Sequence, residues 1–319
     1  MSDKTFLMKR NAIYIFTCNR PLKLRKLHYE LCIIQKIKYN IYIIDDSSDK
    51  EIVVQNKMLI DNDSKVEYLG STEFKEFYCL GDGSPDRKLL GDLTWNLGIA
   101  RNFALDHSIS LGYEKLLFID DDISDIDERK VEEGFSVLNN DSFVSCILKG
   151  LEDNSIIGHI AKHVGVIDDG VKFLSGGFLF FSPATISKRF YNIYNEDWII
   201  QLLENKKKQI LLPYTVRHNV DRDVNWTLDQ AIFQEFGELV VEGLLENENA
   251  ISMDYLFWGI IIENRIKFIQ EIKEEAIKIN YDHGHNICNG LLNWLQKFDG
   301  YSLRQLIEQI KNEQYEHKI

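Results

Sequence analysis

Three consecutive carboxylates, Asp120-Asp121-Asp122, follow the apolar run Leu116-Leu117-Phe118-Ile119. At a separation of ~6 Å, each ionised pair costs about 0.7 kcal/mol in water and about 3 kcal/mol at an effective dielectric of 20. A divalent cation removes that cost and offers a hard site to phosphate oxygens. A solvated turn or helix cap is the competing use of such a run, because Asp serves in both. A second acidic pair, Asp45-Asp46, closes the apolar run 41–44, and a third, Glu196-Asp197, follows Asn195 and precedes Trp198.

The elements that must position these acids are legible as alternating periods. Residues 12–17 read as a strand ended by Cys18-Asn19-Arg20-Pro21, and Leu24, Leu27, Leu31 and Ile34 then recur at helical spacing. Strand-like runs follow at 41–44, 66–69 and 115–119, with a loop at Gly81-Asp82-Gly83-Ser84-Pro85 and a helix over 93–111 between the last two. β character returns at 142–148 and at 171–181, the latter interrupted by Ser175-Gly176-Gly177. Short apolar strands alternating with helices imply an α/β fold with a mostly parallel sheet buried on both faces. Ligands of such sheets bind beyond the carboxyl ends of the strands, where two of the acidic clusters fall. Beyond about residue 220 long helical patterns dominate, at 254–279 and 291–313, with Glu and Lys on the polar faces. The expected division is therefore 1–220 for the α/β unit and 221–319 for a helical C-terminal subdomain.

The formal net charge of −13 over 319 residues argues against nucleic acid, which needs a basic footprint. It also argues against adsorption to anionic membrane surfaces. No apolar run approaches the ~20 residues of a membrane span, and Met1-Ser2-Asp3-Lys4 has no secretory pattern, so a cytoplasmic protein is expected. Five scattered cysteines, Cys18, Cys32, Cys79, Cys146 and Cys288, show no paired spacing and read as reduced thiols. There is no G-x-S-x-G, P-loop, G-x-G-x-x-G or H-E-x-x-H. Trp258 and Trp294 lie in helical apolar patterns and are expected in the core.

Four of these segments, in order, resemble the motifs of GT-A-fold glycosyltransferases, specifically the large inverting family 2. Thr17-Cys18-Asn19-Arg20-Pro21 is similar to that family's opening T-x-N-R-P. Ile43-Ile44-Asp45-Asp46-Ser47-Ser48 is similar to its V-D-D-G-S, with serine in place of glycine. Asn96-Leu97-Gly98-Ile99-Ala100-Arg101-Asn102 is close to its G-x-x-x-A-R-N helix, and 118–123 supplies the D-x-D element. The match covers roughly residues 10 to 220.

The resemblance implies a sugar transfer from a nucleoside-diphosphate donor, a UDP-sugar by preference, assisted by Mn²⁺ or Mg²⁺. It places Thr17, Asn19 and Arg20 in the donor site and gives Asp45 or Asp46 the donor's base. Arg101 would lie near the base or diphosphate, Asp120 and Asp121 at the ribose or donor sugar, and Asp122 with Asp120 at the metal. His218 falls where related enzymes place a histidine that touches metal or diphosphate, and Arg217 could serve the phosphates. Glu196-Asp197 resembles the E-D element at a helix start, with Asp197 as the base that deprotonates the acceptor and Glu196 as substitute or acceptor ligand. Gly176-Gly177 resembles the G-G segment near the acceptor, itself a glycan, small molecule or peptide. Retaining chemistry stays open, as does a binding or scaffold module. A sugar nucleotidyltransferase would need glycines after the first strand, where Cys18-Asn19-Arg20-Pro21 has none. Asp282-His283-Gly284-His285-Asn286 reads as a polar loop between helices, with metal chelation the alternative.

Overall fold

The computed structural model describes residues 10–34, 39–60, 66–70, 96–150, 155–166, 174–204, 207–219 and 226–313. The loop expected at 81–85, residues 93–95 of the expected helix, and Cys79 lie outside the described residues. The α/β part runs β1 (Asn11–Thr17), α1 (Pro21–Ile34), β2 (Asn40–Asp45), α2 (Lys50–Ile60), β3 (Val66–Gly70), α3 (Leu97–Ser110), β4 (Lys115–Asp120) and β5 (Ile123–Ser124). It continues through α4 (Glu128–Val137), β6 (Ser142–Lys149), α5 (Ile156–Val164), β7 (Phe178–Phe181), α6 (Glu196–Leu203) and β8 (Lys208–His218). Four helices close the described chain: α7 (Leu228–Glu246), α8 (Tyr255–Lys278), α9 (Asp282–Leu295) and α10 (Gly300–Glu313).

The eight strands form one mixed, mostly parallel sheet in the order β3-β2-β1-β4-β7-β6-β8-β5. β1 shows why its sequence lacks alternation. Ile13 and Ile15 point into one apolar cluster with α1 and α4, while Ala12, Tyr14 and Phe16 point into another under α3. Both faces are covered, so both sets of side chains are apolar. Parallel pairing then sets the strand ends level: Thr17 lies opposite Asp45, and Phe16 opposite Asp120. A short run of β-hydrogen bonds thus brings two acidic clusters, 75 positions apart by residue numbers 45 and 120, to one edge of the sheet.

A third apolar cluster unites α7–α10 with Ile156, Ile157 and Ile160 of α5, with Ile199 of α6 and with Ile193 just before it. Trp258 and Trp294 are buried in it, as their spacing implies. The expected strand over 171–181 is shorter: 178–181 pairs, 174–177 is turn, and 171–173 lie outside the described residues. The helical run expected over 291–313 is two helices, broken between Leu295 and Gly300. The 282–286 segment is the first turn of α9 and not a loop; Asp282 suits the positive end of a helix. β8 escaped detection because Pro213 demotes a strand, and the register shifts there, between the pairs Cys146–Leu212 and Ile147–Thr215.

Candidate active site

The end of β1 and the start of α1 form the first wall. Asn19 takes a left-handed φ of 55°, a conformation asparagine tolerates better than most residues. That turn lets the Asn19 N–H donate to Ser47 Oγ at 2.8 Å, while the Ser48 N–H donates to Asn19 Oδ1 at 3.2 Å. Asp45 is fully buried and committed: it accepts from Ser47 N–H, Asn56 Nδ2 and Tyr68 Oη at 2.7–2.8 Å. Asp46 is half-buried at the rim and accepts from Asn96 Nδ2 at 3.0 Å. Of the two acids weighed for the base, Asp45 is consumed in bracing the loop, whereas Asp46 is held by Asn96.

The triplet divides three ways. Asp120 is half-buried and turns toward Arg101, whose Nη2 lies 3.1 Å from Oδ1. Asp121 points back under β1, accepting from Thr17 Oγ1 at 2.6 Å, with Arg20 Nη2 at 3.0 Å from its other oxygen. Burial pushes its carboxyl up to about 7 despite Arg20 and Thr17. Asp122 meets three groups: Arg20 Nη1 at 2.9 Å and Lys23 Nζ at 3.8 Å from Oδ2, and His218 Nε2 at 3.2 Å from Oδ1. Burial works against its ionised form, but His218, Arg20 and Lys23 outweigh it and hold the carboxyl down at about 2. His218 reaches Asp122 because β8 pairs antiparallel with β5, setting His218 opposite Ile123. Asn219 clips the turn with two bonds to the Asp122 carbonyl and one to Ser124. Arg217, on the other face of β8, is exposed and pairs with Asp125 at 3.3 Å.

Arg101 forms the second wall. It is 1% exposed, lies over the Phe16 and Phe190 rings, and touches Asp120 on one side and Glu196 Oε1 at 2.8 Å on the other. Burial alone would discharge it; Glu196, Asp120 and Asp197 together raise its affinity for the proton instead. Its neighbour Asn102 exchanges two hydrogen bonds with the Phe190 backbone at 2.8 and 2.9 Å, locking α3 against the segment that leads to α6. The Asp197 carboxylate accepts from the Gly176 N–H at 2.6 Å. A Cβ at residue 176 would collide with Arg101 Nη1 and Asp197 Cβ, so only glycine fits there. Burial pushes Glu196 up to about 8 and raises Asp197 as well; Arg101 opposes both shifts.

Sequence reasoning missed two supports. Lys23, one turn into α1, faces Asp122, and its position two residues after Pro21 is the signal that could have found it. Glu238 of α7 accepts from Asn195 Nδ2 at 2.9 Å, holding the left-handed residue (φ 61°) that starts α6. Gly237 beside it allows α7 to approach the Tyr194 carbonyl, where a Cβ would clash. His283 and His285 stand apart from all of this; the His283 ring stacks on Trp226 at 6.1 Å.

Among the described residues no group of three or more His, Cys, Asp or Glu side chains could enclose a metal ion. What the protein offers is a pair: the buried Asp122 carboxylate and His218 Nε2, 3.2 Å from its Oδ1. A carboxylate with one or two further protein ligands suits Mg²⁺ or Mn²⁺, which complete their shells with substrate phosphates and water. The donor set therefore fits a metal bound together with a nucleotide and not one caged alone.

No protein-family model and no curated protein sequence matches the chain. Solved structures do. A mannosyltransferase of Pyrobaculum calidifontis, solved with GDP-Man and Mn²⁺, superposes with a TM-score of 0.51 at 12% identity, over 90% of this chain and 86% of that one. Glucosyl-3-phosphoglycerate synthase of Mycobacterium tuberculosis gives a TM-score of 0.51 at 10% identity, over 77% and 82% of the two chains. The same enzyme with Mn²⁺, UDP-Glc and phosphoglyceric acid gives 0.50 at 12% identity, over 79% and 84%. The fold is the GT-A fold. At these identities the GT-A likeness speaks for architecture, and it agrees with the sheet edge on which the acids gather.

Proposed function

We propose that the protein is a glycosyltransferase that moves a sugar from a nucleoside-diphosphate donor to an acceptor hydroxyl. The observation that carries this reading is the convergence of two acidic elements of different character on one sheet edge, joined through buried Arg101. Their neighbours in the GT-A architecture include proteins solved with GDP-Man or UDP-Glc and Mn²⁺. In this reading Asp46 accepts from the donor's base, while Asp45 braces the loop that presents it. Asp120 faces the ribose or donor sugar. Asp122 and His218 hold the divalent cation, whose chemistry is to stabilise charge on the leaving diphosphate.

Asp197 acts as the base. It is more accessible than Glu196, its orientation is fixed by the Gly176 N–H, and its raised proton affinity suits a group that must take a proton near neutral pH. The acceptor hydroxyl passes its proton to Asp197 as its oxygen bonds to the anomeric carbon. The bond from that carbon to the diphosphate oxygen breaks, its electrons leave with the nucleoside diphosphate, and configuration inverts. Arg101 keeps Glu196 and Asp120 in place without reaching solvent.

Calorimetry with UDP, GDP, CMP and dTDP, each with and without Mn²⁺, tests the donor site. Metal-dependent binding of one nucleotide is expected. Equal affinity in EDTA would sink the metal assignment, and absence of binding to all four would sink the donor reading. The sugar of the best donor is then sought by release of that nucleotide on addition of acceptor hydroxyls.

A further inference from the structure

We propose that Arg20 and Lys23 alternate between Asp122 and the donor's diphosphate: they neutralise Asp122 before the metal–nucleotide pair binds, and turn to the phosphates once a divalent cation takes the carboxylate. The proposal rests on the donor-site reading above and adds a binding role that the fold does not specify.

Three observations carry it. Asp122 is bonded from both sides, with Arg20 and Lys23 on one oxygen and His218 at the other. A dication ligated by the same carboxylate would repel both cations at short range and weaken their hold on Asp122. The second observation is exposure. The side chains of Arg20 and Lys23 are 39% and 19% exposed on long flexible stems, whereas Arg101 is 2% exposed and enclosed by aromatic rings. The first pair borders solvent, held there by Asp122, by Asp121 for Arg20 and by the Asn219 carbonyl for Lys23; Arg101 is enclosed. The third is the helix beneath them. Arg20 immediately precedes α1, Lys23 lies in its first turn, and that turn contains no acid. Cations at the N-terminus of a helix oppose its dipole, a position that favours anions. Asp121 and Asp122 supply the compensating negative charge. When the metal claims Asp122, a diphosphate arriving beside the α1 N-terminus satisfies both the freed cations and the helix dipole.

The test uses the full chain, with Mn²⁺ alone, UDP alone and GDP alone as probes, followed by each nucleotide with saturating Mn²⁺. Free Mn²⁺ is read by electron paramagnetic resonance and nucleotide by calorimetry. In Arg20→Gln/Lys23→Gln, Mn²⁺ alone is expected to bind about five- to tenfold more tightly, because its competitors are gone, while the nucleotide bound by the parent in saturating Mn²⁺ loses about tenfold or more. The parent should show nucleotide strengthening Mn²⁺ binding, and the variant should lose most of that coupling. Mn²⁺ affinity that is unchanged or weaker in the variant overturns the proposal, as does unchanged nucleotide affinity. Each single variant, checked for a native thermal transition, should give part of the same pattern. A parent that binds Mn²⁺ and nucleotide keeps the donor reading whichever way the variants fall; a parent that binds neither removes both.

Discussion

Asp122 at the strand end and Glu196 at the helix start carry the same sign of charge and are both buried, yet they hold their protons in opposite ways, while Asp121 beside Asp122 is pushed up to about 7. At the strand end, Asp122 is held down at about 2 by His218, Arg20 and Lys23, which more than offset its burial. At the helix start, Glu196 is pushed up to about 8 because burial and the adjacent Asp197 outweigh a single guanidinium. The difference lies in the count of cations per carboxylate. Two cations and an imidazole converge on Asp122, whereas Glu196 pairs with Arg101, which it shares with Asp120 and Asp197. An acid held ionised is suited to pair with cations, and an acid with raised proton affinity is suited to exchange a proton nearer neutral pH, so the fold separates the two kinds of carboxyl by how it distributes positive charge.

The sharpest way to break this comparison is to remove the proposed base. Asp197→Asn should lower kcat by about 10²–10⁴-fold, the usual worth of a general base, while nucleotide affinity in Mn²⁺ stays within twofold of the parent. Single-turnover transfer and calorimetry on the same preparation decide it; near-normal turnover would move the base elsewhere. Asp122→Ala should come next, costing about 10²–10³-fold in kcat/KM and abolishing the difference between Mn²⁺ and EDTA in nucleotide binding. If that difference survives, the metal is not held at the strand end.

Much of this geometry was legible in the residues, and the limits have physical causes. The parallel strands were readable because both faces of the sheet are buried, which turns β1, β2 and β4 into near-continuous apolar runs. Their acidic ends stand out in sequence because charged residues interrupt the apolar runs, although Asp45, Asp121 and Asp122 are themselves buried. The division between Asp45 and Asp46 was not legible. It depends on Asn56 and Tyr68, which arrive from α2 and β3 and consume Asp45. Arg101 read as a group near the base or diphosphate, but a helix with eight consecutive buried residues, 98–105, turns it inward as a charge hub. Helical periodicity cannot mark that face when both sides are covered. β8, which delivers His218, was hidden by Pro213, and Glu238 by its distance in sequence from the acids it supports.

Arg101 and Arg20 make the comparison testable on stability. Arg101→Gln leaves buried carboxylates without their shared cation and should destabilise the fold by about 3–5 kcal/mol, whereas Arg20→Gln, whose own side chain is 39% exposed and whose partner Asp122 keeps Lys23 and His218, should cost less. Urea unfolding of both variants with equal m-values would establish the contrast; equal losses would show that the two centres are not different in kind.

The smallest expected effect is the pH dependence that the two centres write in opposite directions. Glu196, raised from 4.5 to about 8, binds more protons folded than unfolded across that window. Stability from this group is therefore full below the lower value and is lost as pH rises toward the upper one. Asp122, lowered from 3.8 to about 2, acts oppositely: its contribution is full above the higher value and lost as pH falls through the lower one. Unfolding free energy should accordingly decline from mildly acidic toward mildly alkaline pH, and Glu196→Gln should flatten that decline without touching the acid limb. Asp122→Asn should do the reverse. The pH–rate profile follows the same logic, since the base must lose its proton: the rising limb of kcat/KM should lie above the ordinary carboxylate range, because burial raises Asp197 as well. Glu238→Gln keeps a carbonyl oxygen for Asn195 and should leave that limb in place, whereas Glu238→Ala loosens the α6 start and should shift the limb together with a kcat loss at unchanged nucleotide affinity. A limb that stays fixed in Glu238→Ala would mean the helical layer supports the site only by packing.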